Sequence, residues 1–205
     1  MSVGTVPDAS AAPYFAAALL LLVGGIAKLR RPEAAIRSLA SAGLPRTSSV
    51  VRLLAAGEAA VGCACLAAPR RATSVALAGS YLGFAWFLSR LRRSSRGTGS
   101  CGCLGSTEIP ISRLHIGLDL AGAVLGILAV VDPFPGLIPF AGRLPMLAAP
   151  VFVSGVALIA YLCYLAVVFL PTLMLSYRRH TTSSEAAPSR SSPFAFHLTA
   201  ISEEA

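Results

Sequence analysis

Charge is what this sequence has least of. Aspartate, glutamate, lysine and arginine together make up 13% of its 205 residues, against 55% hydrophobic residues and a mean hydropathy of +0.72. That scarcity excludes an ordinary soluble domain, which devotes about a quarter of its residues to charge. Acidic residues are scarcer still, nine against seventeen basic ones. A formal charge of +8 would suggest nucleic acid in a soluble protein, but these arginines sit in short clusters that flank apolar runs, so no nucleic-acid partner is expected. The partner they imply is a lipid bilayer.

Other absences narrow the reading. No basic cluster precedes the first apolar run, Pro13 to Ala27; the positive charge follows it, at Lys28-Leu29-Arg30-Arg31-Pro32. A cleaved secretory signal has the opposite order, so the run is expected to stay in the protein as a helix. Histidine occurs three times, and near the cysteines only His115, Glu108 and Asp119 are available to complete a metal site, too poor a set for zinc. No metal and no other cofactor is expected. There is also no inverted repeat and no pair of interrupted spans of the kind that marks secondary transporters.

What is present is a series of apolar runs. After Pro13–Ala27 come about Leu53 to Ala68, Thr73 to Leu88, Leu114 to Val131 and Met146 to Tyr177, each long enough for a hydrocarbon core that takes about 20 helical residues. The fold expected is all-α, a polytopic membrane bundle of about five transmembrane helices with a four-helix core. Pro69-Arg70-Arg71 is so short a link that the second and third spans should form an antiparallel hairpin. Residues 33–40 have the spacing of a short amphipathic helix at the interface. Residues 1–12 read as a short extracytoplasmic leader and 178–205, rich in Ser, Pro and Ala, as a disordered cytoplasmic tail.

Counting basic residues in alternate links gives an orientation. Only Arg70, Arg71 and Arg143 fall on one side; the rest of the seventeen fall on the other. The positive-inside rule then puts the N-terminus outside and the C-terminus in the cytoplasm of a multi-pass plasma-membrane protein. It also puts the link between the third and fourth spans on the cytoplasmic face.

That link carries Cys101-Gly102-Cys103-Leu104-Gly105. Residues two apart in a turn bring their Cα atoms within the roughly 4.4–6.8 Å that a disulfide spans, and glycine eases the turn. So small a ring suits a bond that exchanges, and Arg93, Arg96 and Arg113 nearby favour the thiolate that does the exchanging. Cys101 and Cys103 are therefore the candidate catalytic pair. His115, just beyond the loop, is a candidate proton partner; it lies four residues before Asp119, which on a helix could instead simply orient it.

Ionisable residues inside the spans are costly and so informative. Lys28 and Glu58 fall on the same side of the bilayer and are expected to pair unless each reaches the headgroups separately. Glu58 and Asp119 would be the carboxylates of a transporter, were it one. Cys63, Cys65 and Cys163 lie within spans, where they are either small apolar filler or relay thiols carrying electrons across; a regular helix cannot join Cys63 to Cys65.

Three elements together, Gly24-Gly25-Ile26-Ala27-Lys28-Leu29-Arg30-Arg31-Pro32, Gly57-Glu58 and Cys101-Gly102-Cys103-Leu104-Gly105, resemble the MauE (methylamine utilisation) branch of the DoxX-like membrane proteins. The resemblance covers about the first 175 residues. Members usually carry Phe in place of Leu104, and often Arg-Asn in place of Leu118-Asp119. The resemblance implies thiol-disulfide chemistry with a thioredoxin-like partner, in the prototype for maturing the disulfide-rich subunit of methylamine dehydrogenase. A non-catalytic scaffold for a partner enzyme and a small-molecule transporter are the other two readings the residues allow.

Overall fold

The computed structural model describes residues 6–44, 47–94, 100–101, 109–110 and 112–185, with side chains over 9–44, 47–93 and 112–169. Seven helices follow in order: α1 (Val6–Arg30), α2 (Glu33–Ser41), α3 (Ser48–Ala67), α4 (Arg71–Ser94), α5 (Arg113–Val131), α6 (Leu137–Ala141) and α7 (Ala148–Glu185). Between α4 and α5 two residue pairs, β1 (Ser100–Cys101) and β2 (Ile109–Pro110), meet antiparallel, with Cys101 opposite Ile109. Five helices, α1, α3, α4, α5 and α7, are long and apolar enough to cross a membrane. The protein is thus an all-α, polytopic membrane protein. Contacts along the chain define one unit over Met1–Thr172 and a second over Leu173–Ala205; the described part of the second is helical to Glu185, past the Tyr177 at which the sequence placed the end of the fifth span.

In lipid, burying apolar side chains gives helices little reason to associate, so close backbone approach at small residues has to do it. That is how α1 meets α3. A Cβ at Gly25 would lie 2.7 Å from the Ala55 carbonyl and the Ala59 amide of α3, and one at Gly62 would lie 2.7 Å from the Ala18 carbonyl and Leu22 amide of α1. On the other side of the bundle α4 meets α5 in the same manner, with Gly126 against Ala78 and Gly122 under the ring of Tyr81. These two pairs are the closest packed in the molecule. Tyr81 then ties one pair to the other by donating to the Ala17 carbonyl of α1 at 2.8 Å.

The expected hairpin of α3 and α4 is present, but its arms spend most of their packing on other helices. Between them runs a groove of about 540 Å³ lined by Gly57, Gly79, Gly83, Leu54 and Trp86. α2 is the short amphipathic helix expected at 33–40 and buries Ala34, Ala35 and Ser38. One element has no counterpart in the sequence reading. The stretch Asp132-Pro133-Phe134-Pro135-Gly136 looks like a plain break, yet it turns Phe134 inward and leads into α6. Phe15 of α1 meets Phe134, Phe140 and Phe152 edge-on at centroid distances of 5.4 to 6.3 Å. α7 leans on this aromatic cluster and is the least buried of the five spans.

Candidate functional site

The bundle has two unlike ends. One holds the aromatic cluster; the other gathers the basic residues that close α1 and α4 and open α5. There Arg90 of α4 donates from Nε to the Ala42 carbonyl just after α2, at 3.1 Å. Beside it Leu88 and Leu91 pack with Ala42, Phe87 and Ile116. The last turn of α1 carries Lys28 and Arg30, cations suited to a helix C-terminus.

Lys28 turns inward. Its Nζ lies 2.6 Å from Glu58 Oε2 of α3, and both side chains are about nine-tenths buried. The same ammonium sits 4.5 Å above the centre of the Phe84 ring. The two alternatives left open by the sequence are settled for these residues: they pair. A pair this far out of water stands only because each partner is present, since removing one leaves a desolvated charge.

The pair forms one wall of a partly open cavity of about 280 Å³ lined by α1, α4, α5 and α7. His115 and Asp119, one turn apart on α5, line it, as do Cys163 and Tyr164 of α7. His115 is not oriented by Asp119. Its Nδ1 lies 3.3 Å from Ser112 Oγ, and Ser112, the N-cap of α5, accepts the His115 backbone N–H at 3.4 Å. A hydroxyl oxygen that accepts one hydrogen still has its own to give. In the tautomer in which Ser112 gives that hydrogen to Nδ1, the ring's own proton is on Nε2. Nε2 of His115 and Oδ2 of Asp119 are both buried and have no hydrogen-bond partner. Natural interiors leave few such atoms, so two on one cavity mark the place where the described residues are least self-sufficient.

The other thiols do not join this centre. Cys65 is buried toward the aromatic end, donating to the Thr73 carbonyl at 3.3 Å, while Cys63 is exposed on α3. The three cysteines within the spans are free, and of them only Cys163 lines the cavity. Among the described residues no cluster of His, Cys, Asp and Glu is fit to hold a metal. Cys101 lies in β1, immediately held by β2 ahead of α5, and β1 contacts α2. Cys103 lies outside the described residues. Sequence reasoning missed Ser112, Phe84, Tyr81 and Tyr164. Only Ser112 had a signal, a serine three residues ahead of His115 at a helix start.

Comparison with known proteins bears on the same residues. A family model described as methylamine utilisation protein MauE matches residues 7–132, from the first helix to the end of α5. The chain belongs to the MauE family. The matched stretch contains the two glycine-packed helix pairs, the Lys28–Glu58 pair, Cys101, Cys103, His115 and Asp119. No curated protein and no solved structure matches the chain.

Proposed function

We propose that this MauE-family protein is a membrane-embedded thiol-disulfide carrier, in which Cys101 and Cys103 form a reversible disulfide and exchange it with a thioredoxin-like partner. The observation that carries the reading is the β1–β2 pairing: it fixes Cys101 directly ahead of α5, the helix whose first two turns bear His115 and Asp119. His115, in the first turn of the helix that follows the loop in sequence, is a group able to take or give a thiol's proton. The basic residues that close α4 and open α5, on either side of the loop in sequence, would favour the thiolate that attacks. A role in methylamine utilisation, as the family's description has it, would place the partner in the maturation of a disulfide-bearing protein.

The exchange balances without a cofactor. A thiolate of the carrier attacks the partner's disulfide, a mixed disulfide forms, and the second carrier thiol, giving up its proton, resolves it; two electrons pass to the partner and the carrier is left oxidised. The reverse sequence serves a carrier that oxidises its partner. Replacing Cys103 with Ser should leave a mixed disulfide trapped on Cys101, visible as a dithiothreitol-sensitive adduct on a non-reducing gel. If neither single Cys→Ser variant captures a partner and both keep wild-type function, the protein is a scaffold and not a carrier. Alkylation of intact cells with a membrane-impermeant maleimide gives the side: with the N-terminus outside in the plasma membrane, Cys101 and Cys103 are protected until the membrane is opened.

A further inference from the structure

The cavity beside the ion pair has a shape that the carrier reading does not use. On α1 its lining runs from Lys28 through Gly24, Leu20 and Ala16 to Pro13, about 20 Å along the helix. Apolar residues face that stretch from α5 and α7, Leu125 and Ile159 among them. The charged and titratable side chains Lys28, Glu58, His115 and Asp119 collect at one end. A narrow, mostly apolar slot with a few convergent polar groups is the usual form of a small-molecule site.

We propose that this slot binds an amphiphile drawn from the bilayer, with an uncharged oxygen head between His115 and Asp119 and one apolar tail laid along α1. The head follows from the two unpartnered atoms. His115 is 5% exposed; in the tautomer in which Ser112 donates to Nδ1, its Nε2 has a hydrogen to give, and Asp119 Oδ2 has a lone pair to fill. A hydroxyl satisfies both at once, accepting from the first and donating to the second; a carbonyl satisfies the first. A phosphate or carboxylate head is disfavoured because Lys28, the only lysine or arginine in the lining, is already neutralised by Glu58. The tail follows from the wall. α7 is the least buried span, and its Tyr164 both lines the slot and is exposed, so the slot reaches the lipid-facing surface beside α7.

Two bilayer components share this chemistry: a quinol or quinone on an isoprenoid tail, and a neutral glyceride or long-chain alcohol. The proposal stands whether or not the cysteine loop exchanges disulfides. The test uses the full chain in phosphatidylcholine nanodiscs, photolabelled with a diazirine-tailed dodecanol and mapped by peptide mass spectrometry. Adducts are expected on the slot-lining peptides of α1, α5 and α7. Decylubiquinol or decylubiquinone displacing the label identifies a redox carrier as the ligand; monooleoylglycerol displacing it identifies a neutral lipid. His115→Phe and Asp119→Leu should each weaken displacement about tenfold, the effect of one lost hydrogen bond to a buried partner. Adducts scattered outside the slot, or dodecylamine or dodecyl phosphate competing better than every neutral head, would overturn the proposal. The wild-type labelling decides this even if a variant fails to fold.

Discussion

The aromatic end and the basic end of this bundle are built from the same five helices and obey opposite rules. At the aromatic end the buried polar groups have partners: Tyr14 and Ser74 share a hydrogen bond of 3.1 Å, and Cys65 donates to Thr73. Around them Phe15, Phe134, Phe140 and Phe152 close the space ring against ring. At the basic end a charged pair, a cavity and two unpartnered atoms occupy the equivalent depth. The contrast teaches that self-sufficient packing and unpartnered polar groups are separated along the bundle axis. The aromatic end is closed by ring packing; the end where α5 begins holds the ion pair and the unpartnered polar atoms.

Substitutions at the two ends and at the seams between helices test that contrast. The largest loss should come from Phe15→Ala, which removes the fully buried ring that meets four others, at a cost of about 3–5 kcal/mol. Thermal unfolding in detergent should show it, whereas Ile159→Ala on the cavity wall should cost far less. Equal losses would erase the distinction between the ends. Lys28→Met or Glu58→Gln alone should cost about 3 kcal/mol, the lower part of the range for breaking a buried pair, because each side chain retains a tenth of its exposure. The double variant should be milder than either single one; strictly additive losses would show that the pair does not act as a pair.

Gly62→Val comes next, at about 1–3 kcal/mol, since the contacts it would meet are backbone atoms of α1 that cannot turn aside. Gly57→Val, on the open groove, meets nothing within 4 Å and should leave the unfolding temperature almost unchanged. Comparing the two separates glycines that join helices from those that do not. Smallest is Tyr81→Phe, about 0.6 kcal/mol, a typical interhelical hydrogen bond in a membrane, read by the same melt.

Much of the fold was legible in the sequence because lipid imposes a length on every span and a charge pattern on every link. Lys28 and Glu58 were legible as a pair for the same reason: two opposite charges on one side of a hydrocarbon layer have few other places to go. The cavity was not legible. It depends on where α7 settles, and α7 carries no charge over its span to fix its register. Nor was the Ser112–His115 contact, because Asp119 four residues on offered His115 an equally good partner by spacing alone. The turn from Asp132 to Gly136 was lost behind its prolines, which hid that Phe134 belongs to the core.

The family match stops at residue 132, where α5 ends and before α6 and α7 begin. The glycine seams and the ion pair therefore lie in the part this chain shares with its family, whereas Ile159, Cys163, Tyr164 and Val167, which close the slot, come from beyond it. The arrangement is modular in an evolutionary sense. Under the proposed amphiphile binding, substitutions along the face of α7 that lines the slot would alter what it admits while leaving untouched the glycine seams that join the other four helices.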